Sequence, residues 1–219
     1  MDKANDLVAV TFDPASMAVG VHGSAPLFSL VVIAVLAVPL WRWFARGGAR
    51  GWAIDAAVFD FPGGNVSLKR IKPSYADRQV AYAIWVELKT RKIGLPIDLD
   101  NDTIAEVYDS WYSLFNITRT LIKTVPVESL TAQSTRAIVD LCVDVLNLGL
   151  RPHLTRWQAR FRRWYEQELA TKTGGAGDDP QTIQRRFPEY KALAADLLLV
   201  NEQLIAYRDK MEEIVYRAT

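Results

Sequence analysis

The stretch at residues 146–168, LNLGLRPHLTRWQARFRRWYEQE, gathers five arginines, two tryptophans and one of the chain's two histidines around a Gly and a Pro. An arginine beside a histidine suits metal-free phosphodiester chemistry, which needs a general acid/base and a cationic stabiliser aimed at one phosphate. Arg151 and His153 are the candidates, although they flank Pro152 at an expected helix start, where their side chains should diverge. Arg156, Arg160 and Arg163 follow at i, i+4 and i+7, and Trp157, Phe161 and Trp164 repeat that spacing one position on. Such spacing places adjoining arginine and aromatic stripes on one helix.

Three readings of these stripes stand side by side. The aromatic stripe is core, and the arginines pair with acids such as Glu202, Asp209 or Glu212. Alternatively, Arg156, Arg160 and Arg163 with Trp157 and Trp164 form a surface for an anionic ligand or an interface, taking RNA phosphates or lipid head groups. The third reading is a catalytic site on Arg151 and His153.

Other chemistry finds less support. His22 and His153 are distant in sequence and Cys142 is a lone cysteine, so no metal site and no internal disulfide is expected. Cys142 falls in an apolar helical pattern and reads as a buried, inert thiol. The acids at 98–102 lack the Gly and distal Glu of a calcium loop, and helix capping explains them. The PGGN turn at 62–65 lacks the Lys and Ser/Thr of a phosphate loop. No cofactor is implied. A net charge of +1 confines any electrostatic recognition to a local patch.

The elements that must position these residues begin with an apolar segment. Residues 25–41 run seventeen positions without a charge, close to the about 17–25 that a spanning helix needs. Trp41, Arg42, Trp43 and Arg46 then read as membrane-interface residues. A cleaved signal peptide fits poorly, because the segment before the apolar run is acidic and the run ends in tryptophans and arginines. Arg42, Arg46 and Arg50 follow the run with no acid before Asp55, so the positive-inside rule puts the C-terminal part in the cytoplasm. The expected organisation is an extracytoplasmic segment at 1–24, a transmembrane helix at 25–45, a linker at 46–73 and a cytoplasmic bundle at 74–219.

Within 46–73, RGGARG is a flexible joint, and residues 52–73 read as an ordered connector around a Pro-Gly-Gly turn rather than a hairpin. Helical patterns follow at about 74–92, 102–124, 129–148, 152–172 and 188–217. Ser74 and Asp77 form a capping-box signature, Asn147 and Gly149 end the third helix, and Pro152 opens the fourth. No sustained strand alternation is visible. The expected fold is all-α: one N-terminal transmembrane helix before a bundle of about five helices.

This architecture, with Arg151, Pro152 and His153 at a late helix start, resembles the small membrane-anchored HEPN-like accessory proteins of type VI-B CRISPR systems, and more broadly membrane effectors of bacterial antiviral defence. HEPN nucleases carry an Arg four to six residues before the His. Here Arg151 lies two before His153, and no Arg occupies 146–148. The resemblance implies a single-pass protein of a bacterial inner membrane that oligomerises and forms or gates a pore. Its partners would be the bilayer, further copies of the chain, and RNA or an RNA-guided effector. The alternatives are a membrane-tethered HEPN-like ribonuclease, or a membrane-anchored adaptor binding RNA or an acidic partner through the arginine-rich helix. The spacing favours a non-enzymatic protein.

Overall fold

The computed structural model describes residues 8–14, 18–23, 53–171 and 178–217. The chain divides into two units, Met1–Gly51 and Trp52–Thr219. In the first, β1 (Val8–Asp13) and β2 (Ala18–Gly23) pair antiparallel, with Val8 opposite Gly23 and Asp13 opposite Ala18. Val8, Val10 and Phe12 in β1, and Val19 and Val21 in β2, give the period-two placement of β-branched and aromatic residues that favours strands. The apolar N-terminal pieces are therefore a hairpin, which corrects the expectation of a chain without strands.

Among the described residues no helix is long and apolar enough to cross a membrane. Residues 25–45, where the span was expected, lie outside the described residues, as do Trp41, Arg42, Trp43 and Arg46. The single-span architecture, the bilayer as partner and the single-pass inner-membrane location are corrected on that finding. The helical part of the expectation remains.

The second unit opens with β3 (Ala57–Phe61) and β4 (Gly64–Leu68), an antiparallel hairpin extended by a bridge between Ile54 and Ile71. Phe59, Phe61, Val66 and Leu68 point inward while Val58, Asp60, Asn65 and Ser67 alternate outward. Residues 54–71 thus pack as a hairpin because one face is fully apolar and has helices to lie on.

Five helices longer than ten residues follow among the described residues. They are α1 (Tyr75–Thr90), α2 (Ile104–Thr124), α3 (Gln133–Asp144), α5 (Ala159–Thr171) and α7 (Tyr190–Tyr216). Short α4 (Arg151–His153) and α6 (Pro180–Gln184) complete the set. α1 begins with a formed capping box, in which the Ser74 hydroxyl accepts from Asp77 N–H and the Asp77 carboxylate accepts from Ser74 N–H. α7 buries Leu193, Leu197, Val200, Leu204, Tyr207, Met211 and Ile214, an alternating four-three spacing that lays one stripe along the core.

Two buried carboxamides fix the connection between α1 and α2. Asn201 donates to Ile93 O and Leu95 O and accepts from Ile97 N–H. Gln184 donates to Leu99 O and Asp102 O and accepts from Ile104 N–H. Each satisfies three backbone groups that a buried loop would otherwise leave unpaired.

The expected break between the third and fourth helices is replaced by a continuous helical rod over 133–171. It holds two π segments, Val145–Leu150 and Leu154–Gln158, on either side of α4. Leu150 and Leu154 keep right-handed helical dihedrals, φ −83° and ψ −46°, and φ −59° and ψ −44°. Pro152 has no N–H to give and its ring crowds the carbonyl four residues back, so an unbroken run of regular α-turns would be kinked or broken there. Wider π turns admit the ring without ending the helix.

The carbonyl four residues back is that of Leu148, and the hairpin turn lies against it. A Cβ on Gly63 would overlap Leu148 O and Pro152 Cγ and lie 2.8 Å from Pro152 Cβ. A Cβ on Gly149 would lie 3.0 Å from the Phe61 ring. Gly63 and Gly149 are therefore glycines of close approach, and they let the β3–β4 turn nest in the widened part of the rod.

Candidate functional site

The rod turns its two candidate catalytic residues to different surroundings. His153 is 2 % exposed and enters the core. Its Nδ1 lies 2.7 Å from Asp196 Oδ2 on α7, and its Nε2 lies 3.1 Å from Tyr108 Oη on α2. Trp157 Nε1 donates to the same Asp196 oxygen at 2.8 Å. A carboxylate accepts, so Nδ1 carries the proton toward Asp196 and the Tyr108 hydroxyl donates to Nε2. Both ring nitrogens are thus engaged. Burial lowers the His153 pKa below 6.5, against the opposing hydrogen bond and charge of Asp196. Burial, reinforced by Asp196, also pushes the Tyr108 phenol well above its ordinary range. The quartet Tyr108–His153–Asp196–Trp157 ties α2, the rod and α7 together as a satisfied polar cluster within an aromatic core.

Arg151 is exposed and points into the groove between the rod and α2. Its guanidinium sits over the Phe115 ring at 5.1 Å, and its Nε donates to Asn147 Oδ1 at 3.2 Å. The two helices run antiparallel, since Tyr112 meets Gln158, Phe115 meets Arg151, and Arg162 donates to Asp109. The groove holds two adjoining cavities, about 380 Å³ and about 320 Å³, which share Phe115, Arg119 and Arg151. Lys123 lines the first. The lining contains no carboxylate. Among the described residues, none of Arg119, Lys123 and Arg151 is held in an ion pair. Three cations around one concave surface make a positive site that a ligand's charge can complete.

The arginine stripe is differently employed. Arg156 and Arg160 lie over the Trp157 ring at 4.8 and 5.0 Å. Arg160 also pairs with Glu189 at 2.9 Å, while neighbouring Arg162 pairs with Asp109. Glu212 and Asp209, offered as partners by the sequence, instead face Lys89 and Arg208. Arg163 is exposed. Trp157 is 1 % exposed, and Trp164 packs on Phe161 and Phe187.

Cys142 is buried and accepts from Tyr207 Oη at 3.4 Å, and burial pushes its thiol pKa up to about 11. Among the described residues no group of three His, Cys, Asp or Glu side chains could hold a metal ion.

The sequence alone did not single out Arg119, Lys123, Tyr108 or Asp196. A signal for the first two existed: Tyr112, Asn116, Arg119 and Lys123 recur at i, i+4, i+7 and i+11 along one polar line of α2.

No family model, curated protein or solved structure gives a significant match to the chain. With no such match and no spanning helix among the described residues, the resemblance to membrane-anchored HEPN-like proteins is not supported. The antiviral pore, tethered-nuclease and membrane-adaptor functions built on it are corrected with it.

Proposed function

We propose that the protein is a binding module whose α2–rod groove takes an anionic ligand. One observation carries this reading: Arg119 and Arg151 line both of two adjoining cavities, Lys123 lines the first, and neither lining contains a carboxylate. Arg151 is held in advance by Asn147 and Phe115, so little side-chain freedom is lost when it meets an anion. A guanidinium matches phosphate or carboxylate oxygens in a fork geometry. His153, two residues from Arg151, is enclosed with both nitrogens occupied, so recognition rather than proton transfer is the chemistry these residues offer.

Calorimetric titration of inorganic pyrophosphate into the full chain tests this. Saturable binding that weakens with added salt is expected. Arg151→Ala and Arg119→Ala should each weaken it about tenfold, the scale of one charge-assisted hydrogen bond. Binding unchanged in both variants would refute the site.

A further inference from the structure

The two cavities differ in character, and the difference points to a class of ligand. The first is lined by the apolar Phe115, Ile122, Val143 and Leu146, together with Lys123 and Asn147. The second presents Tyr112, Asn116, Thr155 and Gln158, an aromatic ring, two carboxamides and a hydroxyl. Arg119 and Arg151 stand at the waist that both share.

We infer that this groove binds a nucleoside diphosphate, with the base in the Tyr112–Gln158 cavity and the phosphates at Arg119, Arg151 and Lys123. The inference rests on the anion-binding reading above. Carboxamides carry a donor and an acceptor side by side, which is the pattern that base edges present. Tyr112 is 43 % exposed, leaving ring surface for stacking, and its hydroxyl is already turned to Gln158 at 3.1 Å. The helix rise sets the span. From Tyr112 to Arg119 is about 10 Å along α2, and Lys123 stands about 6 Å further. A base at one end therefore leaves its first phosphate at the waist and its second within reach of Lys123. A bare phosphate would leave the carboxamide cavity unused, and a neutral nucleoside would leave three cations unsatisfied.

The test is calorimetry on the full chain with four probes: pyrophosphate, ADP, GDP and adenosine. At least one diphosphate nucleotide should bind about tenfold or more tighter than pyrophosphate, and adenosine should bind more weakly than either. Asn116→Ala and Gln158→Ala should each weaken that nucleotide about fivefold to tenfold and leave pyrophosphate unchanged. Both residues sit at the groove surface, and far-UV circular dichroism verifies that the variants fold. Pyrophosphate binding as tightly as ADP and GDP overturns this inference and leaves the anion-binding reading intact. Loss of binding to all four probes overturns both. Nucleotide binding indifferent to Asn116→Ala and Gln158→Ala overturns the placement of the base and hence the inference.

Discussion

Replacing Gly63 with alanine tests whether the hairpin turn and the widened rod are one packed unit. The added methyl would overlap Leu148 O and Pro152 Cγ and stand 2.8 Å from Pro152 Cβ. One of these groups is backbone and the other a closed ring, so neither can rotate away. Overpacking of this kind costs about 1–3 kcal/mol. For a domain of this size each kcal/mol lowers Tm by about 2–4 °C, so Tm should fall by about 2–12 °C. Gly149→Ala is the internal control. Its methyl would meet the Phe61 ring at 3.0 Å, and a ring can yield by a few tenths of an ångström. Alanine also gains up to about 1 kcal/mol over glycine in a helix, which brings the net change near zero. Thermal unfolding followed by circular dichroism, with urea midpoints alongside, reads both variants. A Gly63→Ala protein as stable as the parent, or one less perturbed than Gly149→Ala, would refute the argument that the turn nests on the rod.

Two further outcomes follow from the interior. The His153 pKa is depressed by burial, so the unfolded chain binds the proton more readily. Stability should therefore be complete above 6.5 and be lost as pH falls from there toward the folded value. The urea midpoint should drop between about pH 7.5 and pH 5.5, and His153→Gln should flatten that part of the profile; equal slopes in parent and variant would contradict it. Asn201→Leu should cost about 3 kcal/mol, because it strips partners from Ile93 O, Leu95 O and Ile97 N–H. Hydrogen exchange at Ile97 should rise more than at Leu204, and uniform protection would count against the clamp.

Helix positions were largely legible because their apolar periodicity is strong. The patterns at 74–92, 102–124 and 188–217 match Tyr75–Thr90, Ile104–Thr124 and Tyr190–Tyr216 to within two residues at each end. Ser74 and Asp77 form the capping box their spacing suggests. The rod was misread because Gly149 and Pro152 are strong local stop signals, and a π turn that absorbs a proline leaves no mark in local sequence. The β3–β4 hairpin was missed because its stability comes from the helices beneath Phe59, Phe61, Val66 and Leu68, not from its own turn.

At the candidate site, Arg151 was legible as a residue type but not in its partners. Its neighbours Arg119 and Lys123 lie about thirty residues away on an antiparallel helix, a separation that sequence spacing cannot close. Tyr108 reaches His153 from that same helix and Asp196 reaches it from α7, at separations that hide both for the same reason.

The most direct measurement is nuclear magnetic resonance of the arginine side-chain Nε–H signals during a pyrophosphate titration of the full chain. The groove account predicts that the Arg119 and Arg151 signals shift and saturate together, while Arg160, already paired with Glu189, stays in place. Movement confined to Arg156, Arg160 and Arg163, or no movement at all, would contradict it.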